Sequence, residues 1–594
     1  MKIRILIFIM TIGLAGCIKN VLDRKPLNIL SDQDVWNSET LITVYLAALY
    51  DNIPIGFDKI GAGTVYESHM TDETSHPWAG VTLVNNYGSN GLALNSTMYQ
   101  WIRKANFFLE RVKTSSLTED QIKTLTAECR FIRAYYYFDL VKKYGGMPII
   151  KDVQIFEGNL NELKVPRNKE VEVYEFILAE LNDAVSDLPA SRDGANENRA
   201  TKWAALALKS RAMLYAGSIA KYGSIQLDGL VGIPGNNATK YFTESKNASQ
   251  AIIDGNKYGL YDKLYNPIAK TGDPSANYQN IFLDEGNKEV IFQKAYSNPD
   301  KRHSFDNTNM PNSYKTGCCG NASSPTLEMV ESFEYIDGTP GTLAIGGGTK
   351  EFNHPDELFK DKDPRFNASV LRPESPFNGR PVQIYRGVTD TDGTLFQNFS
   401  TPFPKDPAVS QVGRDGPVSL GDIGKTGFYL KKYLITSTII AEGRSDQNYI
   451  DFRYAEILLN YAEAEFELGT NMQKALDATN QIRNRAGIKI LTLAELTKDR
   501  LRNERKVELA FEDKRFWDLR RWRIGPSLFT NTRIHGLWPY LSYKGAGVYK
   551  WTFKRVEGSP LDNGQVRTFA ERDYYSNLSD YIITNANIVN NPGW

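Results

Sequence analysis

The chain has 594 residues, and its 70 Lys and Arg are balanced by 70 Asp and Glu. Zero net charge leaves no cationic excess to neutralise phosphates, which argues against a nucleic-acid partner. No cysteine spacing suggests a zinc site, and no Gly-x-Ser-x-Gly, His-Glu-x-x-His or phosphate-cradling glycine loop occurs.

Lys2 and Arg4 precede an apolar run over 5–12 that is too short to span a bilayer and reads as an export signal. Leu14-Ala15-Gly16-Cys17 looks like a lipobox, where a signal peptide 1–16 is removed and Cys17 is acylated. The competing reading is an ordinary signal peptide with an incidental cysteine. The lipobox predicts a soluble body on a lipid tether.

Residues 17–40 read as the tether and the start of the body. Apolar spacing predicts a helix over 34–50, then a loop-like stretch over 52–95. Helices follow at 97–112 and from Thr118, whose partner Gln121 completes a capping box. This second helix is apolar on two faces, so it is buried between neighbours, and Gly145, Gly146 and Pro148 stop it. Further helices are predicted at 169–188, 201–222 and 241–255.

Residues 264–448 change character, with many Gly, Pro, Asn and Asp and short strand candidates at 281–282 and 290–294. Gly346-Gly347-Gly348 reads as a turn. Helices return at 450–468 and 474–486, and Thr492 with Glu495 forms a second capping box. The run 503–522 is predicted as a charged helix in which Glu504, Glu508 and Glu512 stack on one face. Buried charges must be paired, so these carboxylates and Arg505, Arg515, Arg520 and Arg521 are expected to knit neighbouring helices together. A di-iron site would need Glu-x-x-His pairs, and no His lies in this run. No metal and no cofactor are expected.

The segments divide into an N-terminal helical scaffold (41–270), a loop-rich excursion (271–444), a C-terminal helical scaffold (445–525) and a loop-rich tail (526–594), forming one composite unit over 17–594. Helices pair as 97–112 with 118–144, 169–188 with 201–222, and 450–468 with 474–486. Small and aromatic residues alternate in them, as in tetratricopeptide-type pairs. The expected class is mainly α, with helical pairs supporting a loop-rich face and a few short strands.

Several motifs carry a family resemblance. They are Leu22-Asp23 with Lys25-Pro26; the run 127–140, AECRFIRAYYYFDL, continuing to Tyr144-Gly145-Gly146-Met147-Pro148; Lys202-Trp203-Ala204-Ala205; 325–330 with Phe333; Arg453-Tyr454-Ala455-Glu456; and Asn503-Glu504-Arg505 with Arg520-Arg521-Trp522. Together they resemble the SusD/RagB family of Bacteroidetes outer-membrane lipoproteins. The resemblance implies a SusD-like fold and a non-enzymatic role. The protein would capture an oligosaccharide for a SusC-like TonB-dependent transporter and act as a lid over that barrel. Peptide or glycopeptide capture by the same architecture is the alternative, and a surface glycoside hydrolase the remote one.

The shared motifs mark scaffold, so the binding residues must come from chemistry. Sugar rings need aromatic platforms for their C–H faces and polar groups for their hydroxyls. Trp78, beside Asp72, His76 and Pro77, is the foremost candidate, and a ring that merely packs its loop is the competing reading. Tyr296, Arg302, His303 and Tyr314 form a second cluster, with Tyr385 and Arg386 outside it. His69 and His76 make only a weak metal pattern. Cys318 and Cys319 form either a vicinal disulfide or two free thiols.

Overall fold

The computed structural model describes residues 32–57, 66–77 and 97–594. Cys17 and Trp78 lie outside these described residues. The long helices are α1 (Glu39–Asp51), α2 (Thr97–Arg111), α3 (Glu119–Tyr144), α4 (Glu170–Asp187), α5 (Lys202–Tyr222), α6 (Ala238–Asp254), α7 (Tyr454–Leu468), α8 (Met472–Ala486), α9 (Lys498–Glu508) and α10 (Arg515–Arg521). The predicted partners do pack together, α2 on α3, α4 on α5 and α7 on α8. Helix α6, which had no sequence partner, bridges α5 and α7 and so joins the two helical halves.

Local sequence explains most helix ends. Thr118 and Gln121 cap α3 reciprocally, and the Thr118 amide donates to Gln121 Oε1 at 3.0 Å. Gly145 takes φ +73° at the end of α3. A Cβ on Gly146 would stand 2.0 Å from the Asn168 carbonyl, so only glycine lets these segments touch. The predicted helix over 34–50 is interrupted instead, because Ser38 caps α1 by accepting from the Leu41 amide.

The charged helix also differs from expectation. Helix α9 ends at Glu508, and Phe511 (φ +61°) and Asp513 (φ +56°) turn the chain before α10 begins. Glu512 therefore lies in a turn, not on the helical ladder. The second capping box closes a short 3-10 turn at Leu493–Glu495. Residues 281–282 follow a short helix, Pro274–Asn280, and form no strand.

Strands are short except in one sheet. Those that position the core and the site are β1 (Thr74–Ser75), β2 (Val290–Lys294), β3 (Ser324–Pro325), β4 (Val388–Thr389), β5 (Leu395–Phe396), β6 (Tyr449–Arg453), β7 (His535–Tyr543) and β8 (Tyr549–Glu557). β1 pairs β3 and β2 pairs β6, both antiparallel. A four-stranded sheet runs β5-β4-β7-β8, parallel only between β4 and β7. The tail thus completes a sheet begun in the loop-rich excursion, 153 residues earlier by the Leu541–Val388 register.

The main apolar core lies among the helices, and a second one, with Leu327, Phe333, Phe428, Leu537 and Phe553, lies beneath the sheet. Helix α9 sits between them. Its Leu501 joins the main core and its Val507 the second. The buried ions lie at that seam. Arg453 reaches Glu289 at 2.8 Å, Glu508 at 2.6 Å and Glu512 at 2.7 Å. Arg365, from the loop-rich layer, reaches Glu504 at 2.6 Å and Glu508 at 2.9 Å. Arg485 adds Glu289 and Glu508, and Lys432 adds Glu512. Burial opposes ionisation of Glu508, yet Arg485, Arg453 and Arg365 hold its carboxyl well below the usual range. Arg505 and Arg521 pair with Asp518, and Arg515 with Asp72. Arg520 departs from the expected pattern, because it forms no ion pair among the described residues.

Candidate functional site

The segment Tyr66–Pro77, expected to be a polar loop, is buried along nearly its whole length. Its polar groups are held by the scaffold. Asp72 accepts from Arg515 Nε at 2.9 Å and from Lys506 Nζ at 2.8 Å. Burial raises the cost of its charge, but these two cations hold the carboxyl far below its ordinary value. His76 is 4% exposed, and its ring packs edge-on against His69 at 4.9 Å. His69 Nδ1 accepts the Tyr66 amide, so its Nε2–H donates to Ser323 Oγ at 3.0 Å. The Asp72 and His76 side chains are therefore turned into the body, because burial forces each polar atom to find a partner there. No group of His, Cys, Asp and Glu suited to a metal occurs among the described residues.

The second predicted cluster is divided. His303 is buried, its Nδ1 accepts the Phe305 amide, and its Nε2–H therefore donates to the Gln447 carbonyl at 3.0 Å. Burial pushes its pKa down to about 4, so it stays neutral. Tyr314 is 2% exposed, donates to the Arg380 carbonyl at 3.2 Å, and lies under the Arg380 guanidinium. Tyr296 is half-buried, with its ring 4.6 Å from that of His303, and Arg302 is exposed. Beside Tyr296 a cleft of about 230 Å³ is lined by Asp51, Phe292, Lys294 and Lys301. Tyr385 is buried and bonds the Ser410 carbonyl. Cys318 and Cys319 are free thiols.

Arg386 leads to residues that the sequence did not single out. Alternation along β7 sends Leu537, Pro539 and Leu541 inward and leaves Trp538 and Tyr540 half-exposed on the outer face of the sheet. The Arg386 guanidinium lies 5.7 Å from the Trp538 ring, and its backbone amide donates to the Pro539 carbonyl at 2.7 Å. Leu395 of β5, 42% exposed, approaches Gly387 near the Tyr540 ring and extends the apolar edge. Lys554, paired across the strands with Trp538, is exposed. The face thus combines two ring surfaces with cationic hydrogen-bond donors, the combination that holds a sugar ring by its C–H face and its hydroxyls.

This face joins the buried segment that ends at Pro77. The Trp538 indole donates to the Lys425 carbonyl at 2.8 Å, and the Lys425 ammonium bonds the Pro77 carbonyl. Burial lowers the Lys425 pKa. Trp78, the foremost sequence candidate, follows Pro77 directly in sequence and lies outside the described residues. The signal available in sequence was the alternation of 535–543, which puts Trp538 and Tyr540 on one face.

A larger groove, about 800 Å³, lies between Tyr99, Leu160, Leu163, Val165, Tyr581 and Ile588. Its walls are mainly apolar, with Tyr99 and Tyr581 among them.

Known proteins share this sequence and this architecture. The SusD family model matches residues 288–594, and a model described as "Starch-binding associating with outer membrane" matches residues 20–214. SusD-like protein P2 of Formosa agariphila is 23% identical over 554 residues, covering 89% of this chain and 92% of that protein. A SusD-like protein of Bacteroides fragilis superposes with a TM-score of 0.71 at 26% identity, covering 96% of this chain and all of that one. Surface glycan-binding protein A from Bacteroides fluxus has a TM-score of 0.59 at 19% identity, covering 94% and 100%. With over half of its length matched by the family model and the fold shared end to end, this chain belongs to the SusD family.

Proposed function

We propose that this protein captures an oligosaccharide at the cell surface without cleaving it and passes it to a SusC-like TonB-dependent transporter, while an acylated Cys17 holds it at the outer membrane. The carrying observation is the outer face of the β-sheet, where Trp538 and Tyr540 flank Arg386 next to the segment that ends at Pro77. Two proteins of similar structure, a laminarin-binding SusD-like protein and the Bacteroides fluxus surface glycan-binding protein, support a glycan as ligand. The description of the N-terminal family model supports the membrane association, and no helix among the described residues is long and apolar enough to cross a membrane. The non-enzymatic reading rests on the absence of a motif that singles out a catalytic carboxylate pair.

Calorimetry across a panel of purified oligosaccharides tests the ligand, with product analysis of each mixture. Saturable binding without new reducing ends is expected. Glycan turnover by the isolated protein, or binding of peptides in preference to every glycan, overturns the reading. Co-purification of a barrel transporter and mass analysis of the N-terminal cysteine test the partner and the anchor.

A further inference from the structure

Arg520 in α10 is 3% exposed, and its Nε donates to the Tyr574 carbonyl at 3.1 Å. Its Nη1 and Nη2 are buried with no acceptor. Next to it, Arg521 already uses Asp518 and Glu463, at 2.8 Å and 2.7 Å. Asp573 acts on Arg520 only from a distance, and its Oδ2 accepts the Ala570 amide. The Arg520 cation therefore faces a cleft of about 20 Å³, bordered by Lys142, Arg523, Tyr174, Tyr574 and Tyr575.

A second donor meets the same cleft without a partner. Tyr174 is fully buried and its hydroxyl has no acceptor. Tyr575, in contrast, accepts from Arg523 at 2.6 Å and donates to Glu170 at 2.7 Å. No lining side chain is a carboxylate. Burial, together with the nearby Arg523 charge, pushes the Arg520 pKa down to about 10, the signature of a cation lacking its counter-charge. A buried unpaired charge is costly, and a set of donors without a negative acceptor selects an anion over neutral water. The volume exceeds the roughly 10–15 Å³ that one water-sized species needs, which suits a single monatomic anion.

We propose that this cleft holds a single halide ion, chloride under ordinary conditions, as a structural ligand that completes the charge pairing of Arg520. Lys142 does not supply the missing partner, since it is itself a cation tied to Asp139. Such an ion stabilises the folded state by mass action.

The test is the thermal midpoint of the full protein in sodium chloride and in sodium gluconate at matched ionic strength. Chloride is expected to raise the midpoint saturably, by about 2 °C or more. Arg520→Met abolishes the chloride-dependent part, and Tyr174→Phe, which removes one hydroxyl and keeps the ring, weakens it. Crystals grown in bromide should show an anomalous peak within hydrogen-bond reach of Arg520 Nη1 and Nη2. Equal midpoints in the two salts, or a water with no anomalous signal at that position, overturn the proposal. If Arg520→Met does not fold, the bromide map and Tyr174→Phe decide.

Discussion

The Trp538 indole Nε1–H donates to the Lys425 carbonyl over 2.8 Å. This bond fixes a half-exposed ring against the segment that also holds Pro77, so the platform and the end of the buried Tyr66–Pro77 segment are positioned together. If the rings bind sugar, Trp538→Ala weakens oligosaccharide affinity by about 1–3 kcal/mol with little change in stability. Trp78→Ala produces a loss of similar size. Titration calorimetry measures both, and unchanged affinity in Trp538→Ala removes this face from the site.

Arg453 joins Glu289, Glu508 and Glu512 in a region where all four side chains are buried. Arg453→Met leaves three carboxylates short of a cation. Breaking a buried pair costs about 3–5 kcal/mol, because the remaining charge keeps its desolvation penalty. The denaturant midpoint should fall accordingly. A loss under about 1 kcal/mol would show that the other cations, Arg365, Arg485 and Lys432, redistribute freely.

Glu73 gives stability a pH dependence. Burial, with the neighbouring Asp72 charge, lifts its pKa from 4.5 to about 8, against the help of the Phe511 amide and of Arg515 and Lys506. The folded state keeps this proton across a range where the unfolded chain has released it. The contribution is therefore complete below about pH 4.5 and is lost as pH rises through about 8. Glu73→Gln, neutral at every pH, should flatten the decline of the thermal midpoint across that range. An unchanged slope would contradict this assignment. Asp72 and Glu508 act oppositely: their pKa values are depressed, so their contribution exists above the ordinary carboxylate range and disappears as pH falls below it.

Gly146 tests the close approach of the loop after α3 to the start of α4. A Cβ there meets the Asn168 carbonyl at 2.0 Å and the Glu170 amide at 2.9 Å, both backbone atoms that cannot swing aside. Gly146→Ala should destabilise the protein by about 1–3 kcal/mol through overpacking. Urea unfolding compared with wild type measures it, and an unchanged midpoint would mean that this junction yields.

The sequence by itself determined most of the long helices and several of their ends. Periodicity and capping are local, so the Thr118–Gln121 box and the stop at Gly145 were legible before any fold was known. It also determined that Glu504, Glu508 and Arg505 must be paired, since charges among large apolar residues have no other stable arrangement. The break between α9 and α10 was not legible, because the positive φ at Phe511 falls on a residue that rarely signals a turn, and Asp513 is masked by the charged run around it. Nor was the burial of Asp72, His76, His303 and Tyr314. Loop composition makes polar side chains look available, and only distant partners such as Arg515 and Gln447 take them up. Tertiary structure alone joined the tail to the excursion and brought Trp538, Arg386 and Lys425 together. Strand pairing over more than a hundred residues is set by which faces bury apolar surface, and no local pattern encodes that choice.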